Sequence, residues 1–226
     1  MASELGDAAK GEGGRAAKFR TAAALPRLGG HLALDFINTV DWRDRPEPIE
    51  YLVSYRALIA WAREAGVIAP EEAAELADRA AAEGAEAKSL LDAALELREA
   101  SHGMLRAAAL GRSASADDLA GLNRVLRRFP QRGEIIGAGD GYAWQSSASG
   151  DPLAYPVERL AAAAAELLLA PAQLRRVRLC AGLGCGWLFL DLSPSRRRRW
   201  CSMESCGNRA KARRHHAKYG GEGPSR

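Results

Sequence analysis

Four cysteines, the only ones in the chain, stand close together at Cys180, Cys185, Cys201 and Cys206. They form two C-x4-C pairs with fifteen residues between Cys185 and Cys201. Each pair can turn back on itself as a knuckle, and an intervening hairpin can bring the two knuckles together. Four converging thiolates suit a structural zinc ion, which is soft, tetrahedral and closed to further ligands. The spacing approaches the familiar C-x2-C-x15–20-C-x2-C pattern, with each knuckle two residues longer. Two disulfides, or four unrelated buried thiols, would be the alternatives. The opening MASELGDAAKGEGGRAAKFR is small and polar, without the apolar stretch of a secretory signal. A reducing cytoplasm is therefore the expected location, where structural disulfides are rare. One structural Zn2+ per chain is the expectation.

The residues around the cysteines are basic. From Pro171 onward there are 13 Lys and Arg against 3 Asp and Glu. Subtracted from the totals of 32 and 28, this leaves 19 against 25 for residues 1–170. A basic module on a mildly acidic body points to a polyanionic partner for the module alone. Arg196, Arg197, Arg198 and Arg199 precede Cys201, and a helix is expected from about Ser205 through Lys218. On it Arg209, Arg213 and His216 share a strip, with Lys211, Arg214 and Lys218 beside them. An arginine fork matches two phosphate oxygens, so these cations are candidate nucleic-acid contacts. Gly207 and Asn208 at the helix start offer either an outward set of N–H groups for an anion or a cap packed on the knuckle. His215 and His216 are left exposed if four cysteines complete the tetrahedron.

The run Cys201-Ser202-Met203-Glu204-Ser205-Cys206-Gly207-Asn208-Arg209 resembles the signature of the CGNR zinc-finger family of bacterial transcription regulators. Trp187-Leu188-Phe189-Leu190-Asp191 and the arginine run fit the same pattern. Upstream, 28-LGGHLALDFINTVDWR-43 is similar to the opening of the ABATE domain, the usual N-terminal partner of that finger. The resemblance covers about residues 25 to 218. It implies a helical N-terminal domain and a regulatory role.

The remaining chain must position this module. Leu32 to Val40 reads as a first helix carrying a polar cluster, Asp35, Asn38 and Thr39. Asp35 and Asn38 form a candidate ligand site, or else hydrogen-bond a neighbouring loop and fix its path. Helices are expected from about Glu50 to Ala65, from Pro70, from about Glu86 to Leu110, and after Ser115. On the longest, Leu91, Leu95, Arg98 and Leu105 lie along one strip. Gly139-Asp140-Gly141 marks a hairpin turn, and a last helix runs to Leu169. The chain is expected to be mainly α with a small β-hairpin: a disordered leader (1–24), a helical domain (25–170), a treble-clef-like zinc finger (171–218) and a flexible tail (219–226).

No apolar run approaches the roughly 20 residues needed to span a bilayer, so no membrane association is expected. The chain has no P-loop, GxSxG or HExxH motif, nor a visible nucleophile–base pair or open metal site, so no enzymatic activity is expected. The expected function is a zinc-dependent DNA-binding transcriptional regulator acting on duplex DNA. Its helical domain would sense a small-molecule effector or form a homodimer. An RNA- or ribosome-associated zinc protein and a protein–protein adaptor are the alternatives.

Overall fold

The structure, a computed structural model, describes residues 21–129, 133–138, 141–146 and 151–219. The expected leader up to residue 20, Gly139 and Asp140 of the expected hairpin turn, and the tail from 220 lie outside the described residues. The described chain is mostly helical, as expected, with three two-stranded antiparallel sheets.

A 3-10 turn, Ala22–Ala24, packs against the body with Ala22 buried, although composition groups these residues with the leader. Helix α1 (Leu32–Ile37) is capped by His31, whose Nδ1 accepts from the Ala33 N–H. It is shorter than expected, because the chain turns at Asn38 and enters β1 (Val40–Asp41). This strand pairs with β2 (Ile49–Glu50). That pairing also delays the next helix. Helix α2 (Tyr55–Glu64) starts where the Ser54 hydroxyl accepts the Ala57 N–H, and Gly66, at φ +71°, ends it.

Helix α3 (Pro70–Ala82) begins with proline and two glutamates, and Glu72 reaches back to the Ala69 N–H. The long α4 (Gly84–Ala109) buries Leu90, Ala94, Leu97, Arg98 and Leu105 along the face turned to the core. Ser115 caps α5 (Ala116–Arg128), which lies along α4. Strands β3 (Gly133–Ala138) and β4 (Gly141–Ser146) form the expected hairpin, and α6 (Tyr155–Leu168) returns through the core. Its alanines, Ala161 to Ala164, are buried and allow close approach to α1 and α4.

One turn, α7 (Pro171–Leu174), leads into the cysteine segment. Strand β5 (Val177–Leu179) pairs with β6 (Leu188–Leu190), so the hairpin encloses the first knuckle rather than joining the two knuckles. The return run Arg196–Arg199 is not a strand. A π-helical turn, Met203–Gly207, then feeds α8 (Asn208–Tyr219).

Val177, Trp187, Leu188, Phe189 and Leu190 belong to the same buried cluster as Leu34, Phe36, Leu97 and Leu160. The cysteine segment therefore completes the core of the helical body instead of hanging from it. Hydrogen bonds stitch the same seam. The Asn38 amide donates to the Leu188 carbonyl at 2.8 Å and accepts the Leu188 N–H at 3.0 Å. The Trp187 indole donates to the Val40 carbonyl at 2.9 Å, and the Leu190 N–H to the Gly29 carbonyl at 2.7 Å.

Candidate metal centre and basic surface

Cys180 follows β5 directly, and Cys185 closes the turn before β6. Gly186, at φ +66°, lets the chain bend there, and a Cβ on it would lie 2.6 Å from Arg43 Cβ. Cys201 and Cys206 come from the second loop and the π-helical turn. The knuckles touch at Gly182, where a Cβ would stand 2.8 Å from Cys206 Sγ. Any larger residue would push the fourth thiol away.

All four Sγ atoms lie within 4.8 Å of one another, and all four residues are buried. Cys185 and Cys201 are 3.9 Å apart at sulfur, and Cys201 and Cys206 are 3.6 Å apart. A tetrahedron with Zn–S bonds of about 2.3 Å has S···S edges of about 3.8 Å. The donor set thus fits one structural zinc ion, with chemistry and spacing in agreement. Hydrogen bonding between the crowded thiols pushes Cys180 far down from the ordinary thiol range and Cys185 far up. Zinc takes its sulfur ligands as thiolates, so the loaded cluster is negatively charged. Its negative charge meets donors already in place. Cys180 Sγ accepts the N–H groups of Gly182 and Cys201 at 3.4 and 3.3 Å, and Cys206 Sγ accepts from Arg209 Nη2 at 3.1 Å.

The candidate nucleic-acid residues divide into two groups. Arg198 turns inward: Nε donates to the Trp200 carbonyl at 2.9 Å, Nη2 to the Cys201 carbonyl, and the guanidinium covers the Phe189 ring. Arg209 turns inward as well. It bonds the Ser205 hydroxyl and Cys206 Sγ, and it lies 4.6 Å from the centroid of Trp42. Arg45 lies 3.8 Å from the same centroid, so two cations share this ring of the body. Arg196, Arg197, Arg199, Lys211, Arg214 and Lys218 are exposed, and Arg213 is half-buried.

Asn208 is exposed and donates to the Glu204 carbonyl at 3.2 Å. The backbone N–H groups of Gly207 and Asn208 are taken by carbonyls of the preceding turn. The geometry is that of a cap rather than of an open anion cradle. Asp191, fully buried, holds the arginine loop by accepting from the Ser193 N–H, the Ser193 hydroxyl and the Arg198 N–H.

The candidate ligand residues of α1 serve the backbone. Asp35 accepts the Gly29 N–H at 2.7 Å, and burial raises its carboxyl to about 6. Asn38 is 3 % exposed, with both ends of its amide on Leu188.

Sequence reasoning misses the polar network behind the knuckle. Arg98, 3 % exposed, pairs with Glu50 at 2.5 Å and Glu99 at 2.8 Å and donates to the Thr39 hydroxyl. Arg43 clasps Glu99 and the Ile37 carbonyl. His102 faces Gly186, and burial, then Arg43, lowers its ring to about 4. The sequence held one signal of this network, an arginine on the otherwise apolar strip of α4.

Residues 30–171 match the family model ABATE, described as "Putative stress-induced transcription regulator", and residues 176–219 match the CGNR zinc finger. No curated protein matches the chain. Both families are of regulator and zinc-finger type. No helix among the described residues is long and apolar enough to cross a membrane. The ABATE match spans more than half of the chain and the finger match takes in all four cysteines: the chain belongs to the ABATE family and ends in a CGNR zinc finger.

Proposed function

We propose that the protein is a cytoplasmic, zinc-dependent DNA-binding transcriptional regulator, in which the finger contacts duplex DNA and the helical body senses a signal or dimerises. The observation that carries this reading is the surplus of cations on the finger. Arg196, Arg197, Arg199, Lys211 and Arg213 form no salt bridge with a described residue, whereas Arg43, Arg98, Arg106 and Arg124 of the body end on carboxylates. Helix α8 also lacks an apolar stripe. A short helix that is polar all round gains little from packing and gains most from a partner of opposite charge. Arg196, Arg197, Arg199, Lys211, Arg213, Arg214 and Lys218 are the phosphate contacts of this reading, with Asn208 at the helix start.

Selection of bound fragments from random DNA and RNA pools by zinc-loaded protein tests it. Enrichment of a duplex DNA sequence is the expected result. Enrichment from the RNA pool alone would replace DNA by RNA. Absence of binding to either at low salt would leave an adaptor role for an acidic protein partner. A groove of about 430 Å³ between α2, α3 and α4, lined in part by Val53, Tyr55, Ala77 and Leu91, supports a sensing role for the body.

A further inference from the structure

A second cleft, of about 380 Å³, lies between the segment entering Cys201 and one strip of α8. Ala210, Arg213, Arg214 and Ala217 recur at i, i+3, i+4 and i+7, so they share a face of the helix and form one wall. Arg199 and Trp200 form the other. That second wall is fixed, because the Arg199 carbonyl accepts the Ala181 N–H of the first knuckle at 2.9 Å. Ala181, Ala210 and Ala217 leave room, three arginines stand around the cleft, and no carboxylate of a described residue lines it. The half-buried indole of Trp200 adds an aromatic surface, with the Arg199 guanidinium 5.4 Å from its centroid.

An aromatic ring set among arginine forks matches a planar base carried on a phosphate. We propose that this cleft takes a single unpaired nucleotide unit, with the base against Trp200 and the phosphate among Arg199, Arg213 and Arg214. A base inside a duplex has both faces covered by its neighbours and cannot offer one to Trp200. The cleft therefore distinguishes an unpaired nucleotide from paired DNA, a preference that phosphate contacts alone do not supply. This deepens the nucleic-acid reading and rests on it. The nucleotide can belong to a strand or be free in solution, since the recognising chemistry is the same.

The test uses the zinc-loaded full chain and three probes: labelled oligo(dT), a blunt duplex of matching length, and ATP. Trp200→Ala is expected to weaken oligo(dT) binding about tenfold, and Trp200→Phe to keep most of it, because stacking needs only a ring. Ala217→Leu, at an exposed position, fills the cleft without changing charge and is expected to produce a similar loss. It decides the matter if Trp200→Ala disturbs folding. Duplex binding is expected to change little in any of them. ATP binding with the same sensitivity would support the cleft with a free nucleotide as its ligand. If Trp200→Ala and Ala217→Leu leave oligo(dT) unaffected and ATP does not bind, the cleft assignment is overturned. Persistent duplex binding in that case leaves the broader reading intact. If none of the three probes binds at low salt, both readings fall together.

Discussion

Arginine does different work in the two halves of this molecule. In the body, Arg98 and Arg43 meet Glu50 and Glu99, Arg106 meets Asp44, and Arg124 meets Glu96. Each such pair cancels its charge within the fold. In the finger, Arg198 and Arg209 bind carbonyls, a sulfur and ring faces, which satisfies their N–H groups without a carboxylate. With 13 cations against 3 acids after residue 170, the finger cannot pair its arginines internally. The paired arginines help hold the body together, whereas in the finger that task falls to the metal, and Arg196, Arg197, Arg199, Lys211 and Arg213 form no salt bridge with a described residue.

Removing the metal should give the largest effect. Chelation under reducing conditions, or Cys206→Ser, is expected to remove about 10–16 kcal/mol of metal-linked folding free energy. Metal content should fall from one zinc per chain, and near-ultraviolet dichroism from the buried Trp187 should collapse. An unchanged spectrum after metal loss would contradict a structural ion. Because Trp187 and Phe189 lie in the shared core, thermal unfolding of the helical body should shift as well.

Next in size is the contrast between paired and unpaired arginines. Arg98→Ala removes a buried guanidinium that ties Glu50, Glu99 and Thr39 together and is expected to cost about 1–3 kcal/mol in urea unfolding. Arg197→Ala should stay within about 0.5 kcal/mol. Equal costs would erase the distinction.

The carboxylates provide a smaller effect. Burial alone would raise the Glu99 carboxyl, but the hydrogen bond and charge of Arg43, with Arg98 behind it, hold it down at about 2. Its stabilisation is complete above the unfolded value of roughly 4.3 and is lost as pH falls toward 2. Asp35 runs the other way. Its folded value of about 6 lies above the unfolded one, so its contribution is present at low pH and lost as pH rises through 6. Melting temperature against pH should therefore lose its acid limb partly in Glu99→Gln. Asp35→Asn should be stabilised relative to the parent at pH 7 but not at pH 4.

The finest discrimination lies among the finger arginines. Arg213→Ala should reduce the slope of log affinity against log salt by about 0.9 for duplex DNA, the share of one phosphate. Arg209→Gln should leave that slope unchanged and instead speed zinc loss to a chelator. If Arg209→Gln flattens the slope, the inward geometry of this residue is not the one that binds DNA.

The metal site was legible because four cysteines with regular spacing carry their chemistry in their type. Helix ends were legible for the same local reason: Ser115, Pro70 and Gly66 act within a few residues of themselves. Contacts across the chain were not. Helical periodicity places Arg209 on α8 but cannot reveal that the first turn of that helix lies against Trp42. Asn38 stood out as a polar residue in an apolar element, while its partner, Leu188, is 150 positions away. The pairing of β5 with β6 was hidden too, since two short apolar runs on either side of a knuckle do not announce which neighbour each will choose.

That separation has a consequence for how the protein is made. Translation at about 5–20 residues per second needs roughly 8–30 seconds to add the 150 residues between Asn38 and Leu188. During that interval α1 exists without the strand that receives its amide, and the slot for Trp187 is open. The ribosome thus delivers the closing piece of the core only after the helices it completes, together with the cysteines that hold it in shape. A nascent chain stalled before β6 would expose this unfinished seam, which is the kind of apolar surface that chaperones hold until synthesis resumes.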